Sequence, residues 1–302
     1  MSNIIVKGNF PTNLIKGYAT KFYGELDMGE NHYLKLFEEL SSDRAFELDV
    51  LTDNFTVIPV KPEAQNITYQ SASQQFTTTY NHTSFGGGFQ ISKEAKDDGK
   101  EMDLMKKYMR NLGFAGKRTN EIRGANVYLR AYNSAYLGGD GVQLIATTHP
   151  TKAGNQANTL ANQIAMSEAA LEDLTKLVYK AKDYNGNIAQ IRTKALVVGP
   201  NLYHEATRQA STPLRVSTAN NDINAMKYLG DIPEVIMNPY FESSNLYYFI
   251  TDCTDGLKYF NRTSPEFSMD SQFDAEVSKY KIFFRNTFYW TDWRGVYGSG
   301  NV

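Results

Sequence analysis

Cysteine is nearly missing from this chain: Cys253 is the single copy in 302 residues. No intramolecular disulfide can form, and a cysteine-built metal site has no ligand set. Charge of one sign is missing too. The 31 basic and 33 acidic residues leave a formal charge of -2. That argues against tight, salt-driven binding of nucleic acid over the whole surface, though not against loose contact with DNA. Long apolar runs are absent. Near the N-terminus only residues 4–6 form one, too short for the core of a signal peptide. Nothing approaches the roughly 18 apolar residues of a membrane span. With no secretion signal, the sequons at Asn54, Asn66, Asn81 and Asn261 read as by-products of a Thr-rich sequence.

Recognisable chemistry is sparse as well. The stretch "HEATR" (204–208) starts like a zinc-protease helix, but Arg208 stands where the second histidine belongs. "GGGFQI" (86–91) fails the dinucleotide fingerprint because Ile91 takes the last glycine position. No phosphate loop and no G-x-S-x-G nucleophile elbow occur. His149, in a His-Pro pair, reads as a turn residue at a strand end rather than a general base. Cys253 reads as a structural thiol, and the acids in "KEAKDDGKEMD" (93–103) as the solvated, dipole-compatible start of a helix. No catalytic, cofactor or metal residue is expected.

What is abundant is aromatic: 20 Tyr and 17 Phe, suited to cores and large contacts alike. Residues 1–45 read as an irregular arm with one short helix, "NHYLKLFEEL", placing Tyr33, Leu34, Phe37 and Leu40 on one side. From Phe46 to about Phe85 the pattern is β, with strands expected at 55–60, 67–72 and 75–83. The last two are polar on both faces, so this ribbon is marginal alone in water and needs another surface. Residues 58–82 are accordingly expected to lie outside the main core. A long helix follows, with Ser92 as cap and Ala95, Met102, Met105, Met109 and Leu112 on one face. Gly113 and Gly116 are expected to interrupt it before it continues through Ile122, Ala125, Leu129 and Tyr132. Carried to Leu137 and stopped by Gly138 and Gly139, it would approach about 65–70 Å.

"LGGDGVQLIATTHPTKAG" (137–154) then presents a glycine turn, a short buried strand at 142–148 and a Pro150 stop. Ser167 caps a helix to about Lys182, with Met166 stapled to Leu171 and with Leu171, Leu174, Val178 and Ala181 along one face. "KALVVGP" (194–200) is a buried strand feeding a helix at 201–210 with proline in its first turn. Strand-like pieces dominate from 234 to the end. The fold class is α+β.

Four stretches, in this order and spacing, resemble one family: "GGGFQISKEAKDDG" (86–99), "DGVQLIATTHP" (140–150), "KALVVGPNLYHEA" (194–206) and "TDWRGVYGSG" (291–300). The family is the major capsid proteins of tailed double-stranded DNA bacteriophages, with the Hong Kong 97 fold. The resemblance covers about residue 46 to the end. It implies an N-terminal arm (1–45), an extended β-hairpin called the E-loop (46–88) and a peripheral domain with a spine helix (89–154). An axial domain (155–245) and a return to the peripheral domain (246–302) complete it. Residues 137–154 become a joint between spine and axial domain. The E-loop of such proteins lies on a neighbouring subunit, so Thr68, Tyr69, Phe76, Thr78, Tyr80 and Phe85 are implied as subunit-interface residues.

The resemblance further implies a non-enzymatic subunit assembling with itself into hexamers and pentamers of an icosahedral head. Portal and scaffold proteins, a decoration protein and weakly held double-stranded DNA are the implied partners, with no membrane. The location is the virion, after assembly in the host bacterial cytoplasm. A chain starting at Met1 carries the expectation that no N-terminal scaffold segment is removed. The family's crosslinking chemistry finds no matching Lys, Asn and acid. Two rivals stay open: a β-rich tail or baseplate component, and a hydrolase whose Ser, His and Asp meet in space.

Overall fold

Two four-stranded sheets and one long helix organise the chain. The computed structural model describes residues 20, 22, 24, 30–94, 101–215, 222–241, 245–272 and 276–300. Helix α1 (His32–Leu36) leads into β1 (Glu38–Ser41), β2 (Phe46–Thr52), β3 (Gln74–Asn81) and β4 (Thr83–Ser92). Then come α2 (Glu101–Leu129), α3 (Glu168–Tyr179), β5 (Thr193–Val198), α4 (Pro200–Ser211), α5 (Ala225–Leu229), β6 (Val235–Met237) and β7 (Tyr247–Thr251). The long strands β8 (Leu257–Gln272) and β9 (Val277–Trp290), a 3-10 turn (Trp293–Gly295) and β10 (Val296–Ser299) close the chain.

The first sheet runs β1-β8-β9-β4. Strand β9 alternates: Tyr280, Ile282 and Phe284 are buried while Lys279 and Lys281 are exposed, as a sheet with one covered face requires. Helix α2 packs on β9. Its 29 residues span about 43 Å, shorter than expected because Ala131 O is taken by Ile145 N and the chain turns at Arg130–Asn133. Gly138 and Gly139 therefore do not stop the helix. Gly113 and Gly116 do not interrupt it either: they are buried in line with Met109 and Asn120 on the covered side. Lacking side chains there lets the helix sit close, and tertiary packing outweighs the roughly 1 kcal/mol that each glycine costs against alanine. Ala125 faces the core as expected, but Ile122 and Leu129 are exposed. The expected Ala95 lies outside the described residues, as do the side chains of Met102 and Met105.

The second sheet runs β10-β7-β5-β6 and is buried on both faces. Ala195, Val197, Tyr248 and Ile250 point into one core with Tyr128, Phe288 and Trp290. Leu196, Val198, Tyr247 and Phe249 point into the other, with Leu171, Leu174 and Val178 of α3. Near-continuous apolar strands such as "KALVV" and "YYFI" are what such double burial demands. Strands on both sides of residue 245 share this sheet. Ser167 caps α3 by accepting from Ala170 N, and Pro200 opens α4, both as read from sequence.

Three local expectations change. The helix near the N-terminus stops at Leu36, and 38–41 becomes β1, paired in parallel with β8; Leu34 is exposed. Residues 142–148 form no strand, although Leu144 and Ile145 are fully buried. Of the expected β ribbon, 55–60 and 67–72 form no strand. The regular pairing is β2 with β3, while β4 leaves the ribbon to join β9.

Candidate assembly site

Residues 53–73 leave the body between β2 and β3 and carry no ladder pairing. Phe55, Val57, Ile58, Val60, Ile67 and Tyr69 along this arm are 64–93% exposed. Fully burying such a side chain gains roughly 1.5–3 kcal/mol, so six exposed together make the arm a candidate contact surface. The two limbs are braced by Gln70, whose Nε2 donates to Thr56 O (3.2 Å) while its Oε1 accepts from Thr56 N (2.8 Å). At the base Asp53 N donates to Ser73 O at 3.0 Å, and Asn185 Nδ2 donates to Asn54 O at 2.6 Å.

The root of the arm is locked to the first sheet by a mostly buried polar chain. Lys258 Nζ donates to Asp49 Oδ2 and to Asp255 Oδ1 (2.8 Å). Thr291 Oγ1 donates to Asp49 Oδ2 at 2.6 Å. Its single proton being used there, Thr291 accepts from Tyr80 OH at 2.5 Å. Burial alone would raise the Asp49 carboxyl, but hydrogen bonds from Lys258 and Thr291 outweigh it and hold it below the usual value. Burial disfavours the Lys258 ammonium, yet Asp255 and Asp49 raise its pKa overall. The Tyr80 ring packs edge-on against Phe260 and Tyr289, and burial pushes its hydroxyl pKa up. Gly139 also meets this root. A Cβ there would lie 2.5 Å from Thr78 Oγ1 and 3.0 Å from Thr77 O, so only glycine lets the 137–141 turn press on β3.

Below it lies the joint that begins with that turn. His149 is fully buried, its ring stacked on Trp293 at 4.3 Å. Its Nδ1 lies 2.6 Å from Asp140 Oδ2 and its Nε2 3.3 Å from Asn158 Oδ1. Asn158 Nδ2 donates to the carbonyls of Leu144, Trp293 and Val296, and its Oδ1 accepts from Ala146 N. One side chain thus stitches the 142–148 segment to the chain's closing turn. Asn158 was not singled out in sequence; nothing in a polar connector distinguishes it. Glu121 is a second such residue, buried in α2, where it accepts from His32 N and Tyr33 N and so caps α1.

The six residues implied as interface divide. Thr68 and Tyr69 sit on the exposed arm. Phe76 is half-buried, edge-on to Tyr184. Phe85 stacks on Phe284, beneath the Arg123 guanidinium. Thr78 and Tyr80 are buried within the chain itself, at 2% and 1% exposure. The alternation of β3 turns these two toward the body of their own chain, where the Tyr80 ring packs on Phe260 and Tyr289.

A family model described as phage capsid protein matches residues 75–299. The chain belongs to that family of phage capsid proteins. No curated protein matches it by sequence. In fold, the capsid protein is similar to a chain of Mycobacterium phage Patience at TM-score 0.55 and 9% identity, covering 99% of this chain and 89% of that one. It is also similar to the virus-like particle from Pyrococcus furiosus (TM-score 0.53, 5% identity, 95% and 99% covered). A third likeness is to the procapsid of bacteriophage JBD30 (0.52, 13%, 99% and 77%). The fold is the Hong Kong 97 capsid fold.

In this capsid protein the joint is a packing device, which gives a first expectation. His149→Ala loses the stacked ring and the Asp140 contact, and Asn158→Ala removes the buried donor to the Leu144 and Val296 carbonyls. Each is expected to lower stability by about 2–4 kcal/mol, whereas exposed His204→Ala changes it by less than about 0.5 kcal/mol. Urea unfolding of the three variants measures this; equal midpoints for all three would refute the packing role.

Proposed function

We propose that the capsid protein forms hexamers and pentamers that close an icosahedral head around packaged double-stranded DNA. The observation that carries this reading is the 53–73 arm, a segment outside any strand with six exposed apolar side chains and a root locked by Tyr80, Thr291, Asp49 and Lys258. A rigid root with an unpaired, apolar tip suits a segment that finds its surface on another subunit. We assign 46–88, which carries this arm, as the E-loop, α2 as the spine of a peripheral domain and 155–245 as the axial domain. That last unit carries exposed Ile223, Tyr228 and Leu229, which suit contacts around a capsomer axis.

The role is structural, without turnover. His149 has both ring nitrogens facing acceptors inside the fold. The Cys253 thiol is pushed up by burial, with Asp292 adding to it, so it offers little thiolate. Among the described residues no three His, Cys, Asp or Glu side chains cluster as metal ligands. No helix there is long and apolar enough to cross a membrane. Portal, scaffold and decoration proteins are the proposed partners, and assembly takes place in the host cytoplasm. Near-zero net charge suits a wall that holds DNA loosely.

The test is assembly. The purified protein is expected as closed shells or capsomers by negative-stain microscopy and sedimentation. A non-associating monomer of 34.1 kDa at high concentration, with scaffold supplied, would overturn the reading; tubes would favour a tail component.

A further inference from the structure

The chain holds one Asn-Gly pair, Asn185-Gly186. It lies in the turn closed by the Lys182–Ile188 bridge, and Asn185 is partly exposed. The fold requires glycine at 186. Its φ is +94°, and a Cβ there would lie 2.9 Å from the Ala153 Cβ. Asn185 has a task of its own: its Nδ2 donates to Asn54 O at 2.6 Å, tying the base of the arm to this turn. Each residue is thus placed by the structure, yet together they form the pairing in which asparagine is chemically least durable. Glycine has no Cβ to shield its amide nitrogen, and its backbone readily reaches the geometry of attack on the preceding side chain. That nitrogen is restrained by a bond to Asp183 O of 3.2 Å, at the long limit of the ordinary range.

We infer that Asn185 is a site of self-modification, and that its conversion releases the base of the arm. The Gly186 nitrogen bonds to Asn185 Cγ as the Cγ–Nδ2 bond breaks. The amide proton leaves with the side-chain nitrogen as ammonia, and a succinimide ring closes. Water then opens the ring at either carbonyl, leaving aspartate or isoaspartate, with no oxidant or reductant involved. The product reverses the contact. An ionised carboxylate only accepts hydrogen bonds, so it meets the Asn54 carbonyl with no donor. It also adds negative charge where that sign already prevails. Asn54 lines a cleft of about 290 Å³ together with Asp183, Asp252, Asp255 and Asp292. Arg294, the cation among the described lining residues, is already paired with Asp292. A further carboxylate beside this cleft is repelled, and isoaspartate also lengthens the backbone inside a tight turn.

The experiment stores the full-length wild type, folded, in mildly alkaline buffer beside Asn185→Gln and Asn185→Asp, with fresh protein as reference. Peptide mass spectrometry is expected to show the change from NH2 to OH at Asn185 ahead of every other asparagine, including exposed Asn133 before Ser134. Asn185→Gln keeps a donor and is expected to show no such change at that position. Amides of residues 53–56 are expected to exchange faster in stored wild type and, from the start, in Asn185→Asp, and to hold their fresh rate in stored Asn185→Gln. Shell yield, which rests on the shell-forming reading above, is expected to fall with conversion in wild type and to hold in Asn185→Gln. An unconverted Asn185, or one no faster than Asn133, overturns the modification site. Conversion that leaves exchange at 53–56 or shell yield unchanged overturns the release of the arm. Fresh wild type that forms no shells sinks the shell reading and not the chemistry at Asn185.

Discussion

Replacing residues 54–72 with a short Gly-Ser linker leaves a folded protein that makes no shells. Asp53 N already donates to Ser73 O, so a short linker closes the gap without moving β2 or β3. The deleted residues are nearly all exposed and stand outside both main cores. Shortening a flexible connection changes closure entropy by well under 1 kcal/mol per halving of length, so the melting temperature is expected to stay within a few degrees of the wild type. Assembly loses the six exposed apolar side chains and the extended backbone in every subunit at once. Individual contacts are each worth about 0.5–1.5 kcal/mol, but their loss multiplies around a closed shell. Circular dichroism and sedimentation read the two halves separately. Normal shells from this variant would sink the E-loop assignment, and outright unfolding would place the arm in the core.

The boundaries of that deletion show where sequence reading stops. The polar, Thr-rich character of 67–83 correctly marks a ribbon too thin to stand alone. From it alone, 58–82 looks removable. Yet Tyr80 and Asp49 tie the ribbon to Thr291 and Lys258, more than 200 residues away in sequence, and no local pattern carries such a pairing. Elements whose burial follows a local period were legible: the Ser167 cap, the Leu171-Leu174-Val178 face and the "KALVV" and "YYFI" strands. Gly113 and Gly116 misled because the same residue type that weakens a helix in isolation allows its close seating on a sheet. His149 was legible as structural, but its Asp140–Asn158–Trp293 surroundings were not, since Trp293 lies far along the chain.

Tyr80→Ala is expected to be the most damaging single substitution at the arm's root, lowering stability by about 4 kcal/mol. The ring is 1% exposed between Phe260 and Tyr289, so truncation opens a cavity, and the Thr291 hydroxyl loses its donor. Tyr80→Phe keeps the ring and removes only that hydrogen bond, for about 1 kcal/mol. Lys258→Met strips Asp49 of its cation and sits between the two at about 2 kcal/mol. The order Ala, Met, Phe separates packing from polar pairing in one urea series. Acidity provides an independent check. Asp49 titrates below its unfolded value, so its contribution is present above about pH 4 and is lost as pH falls through the lower folded pKa. Lys258 titrates above its unfolded value, so its contribution is present below about pH 10 and is lost as pH rises through the higher folded pKa. Between about pH 5 and 9 neither group titrates, and the difference between wild type and Lys258→Met is expected to stay flat there and to shrink below about pH 4. A difference that instead varies across the neutral range, or a Tyr80→Ala cost under about 1 kcal/mol, would mean that the ribbon is not anchored through this network.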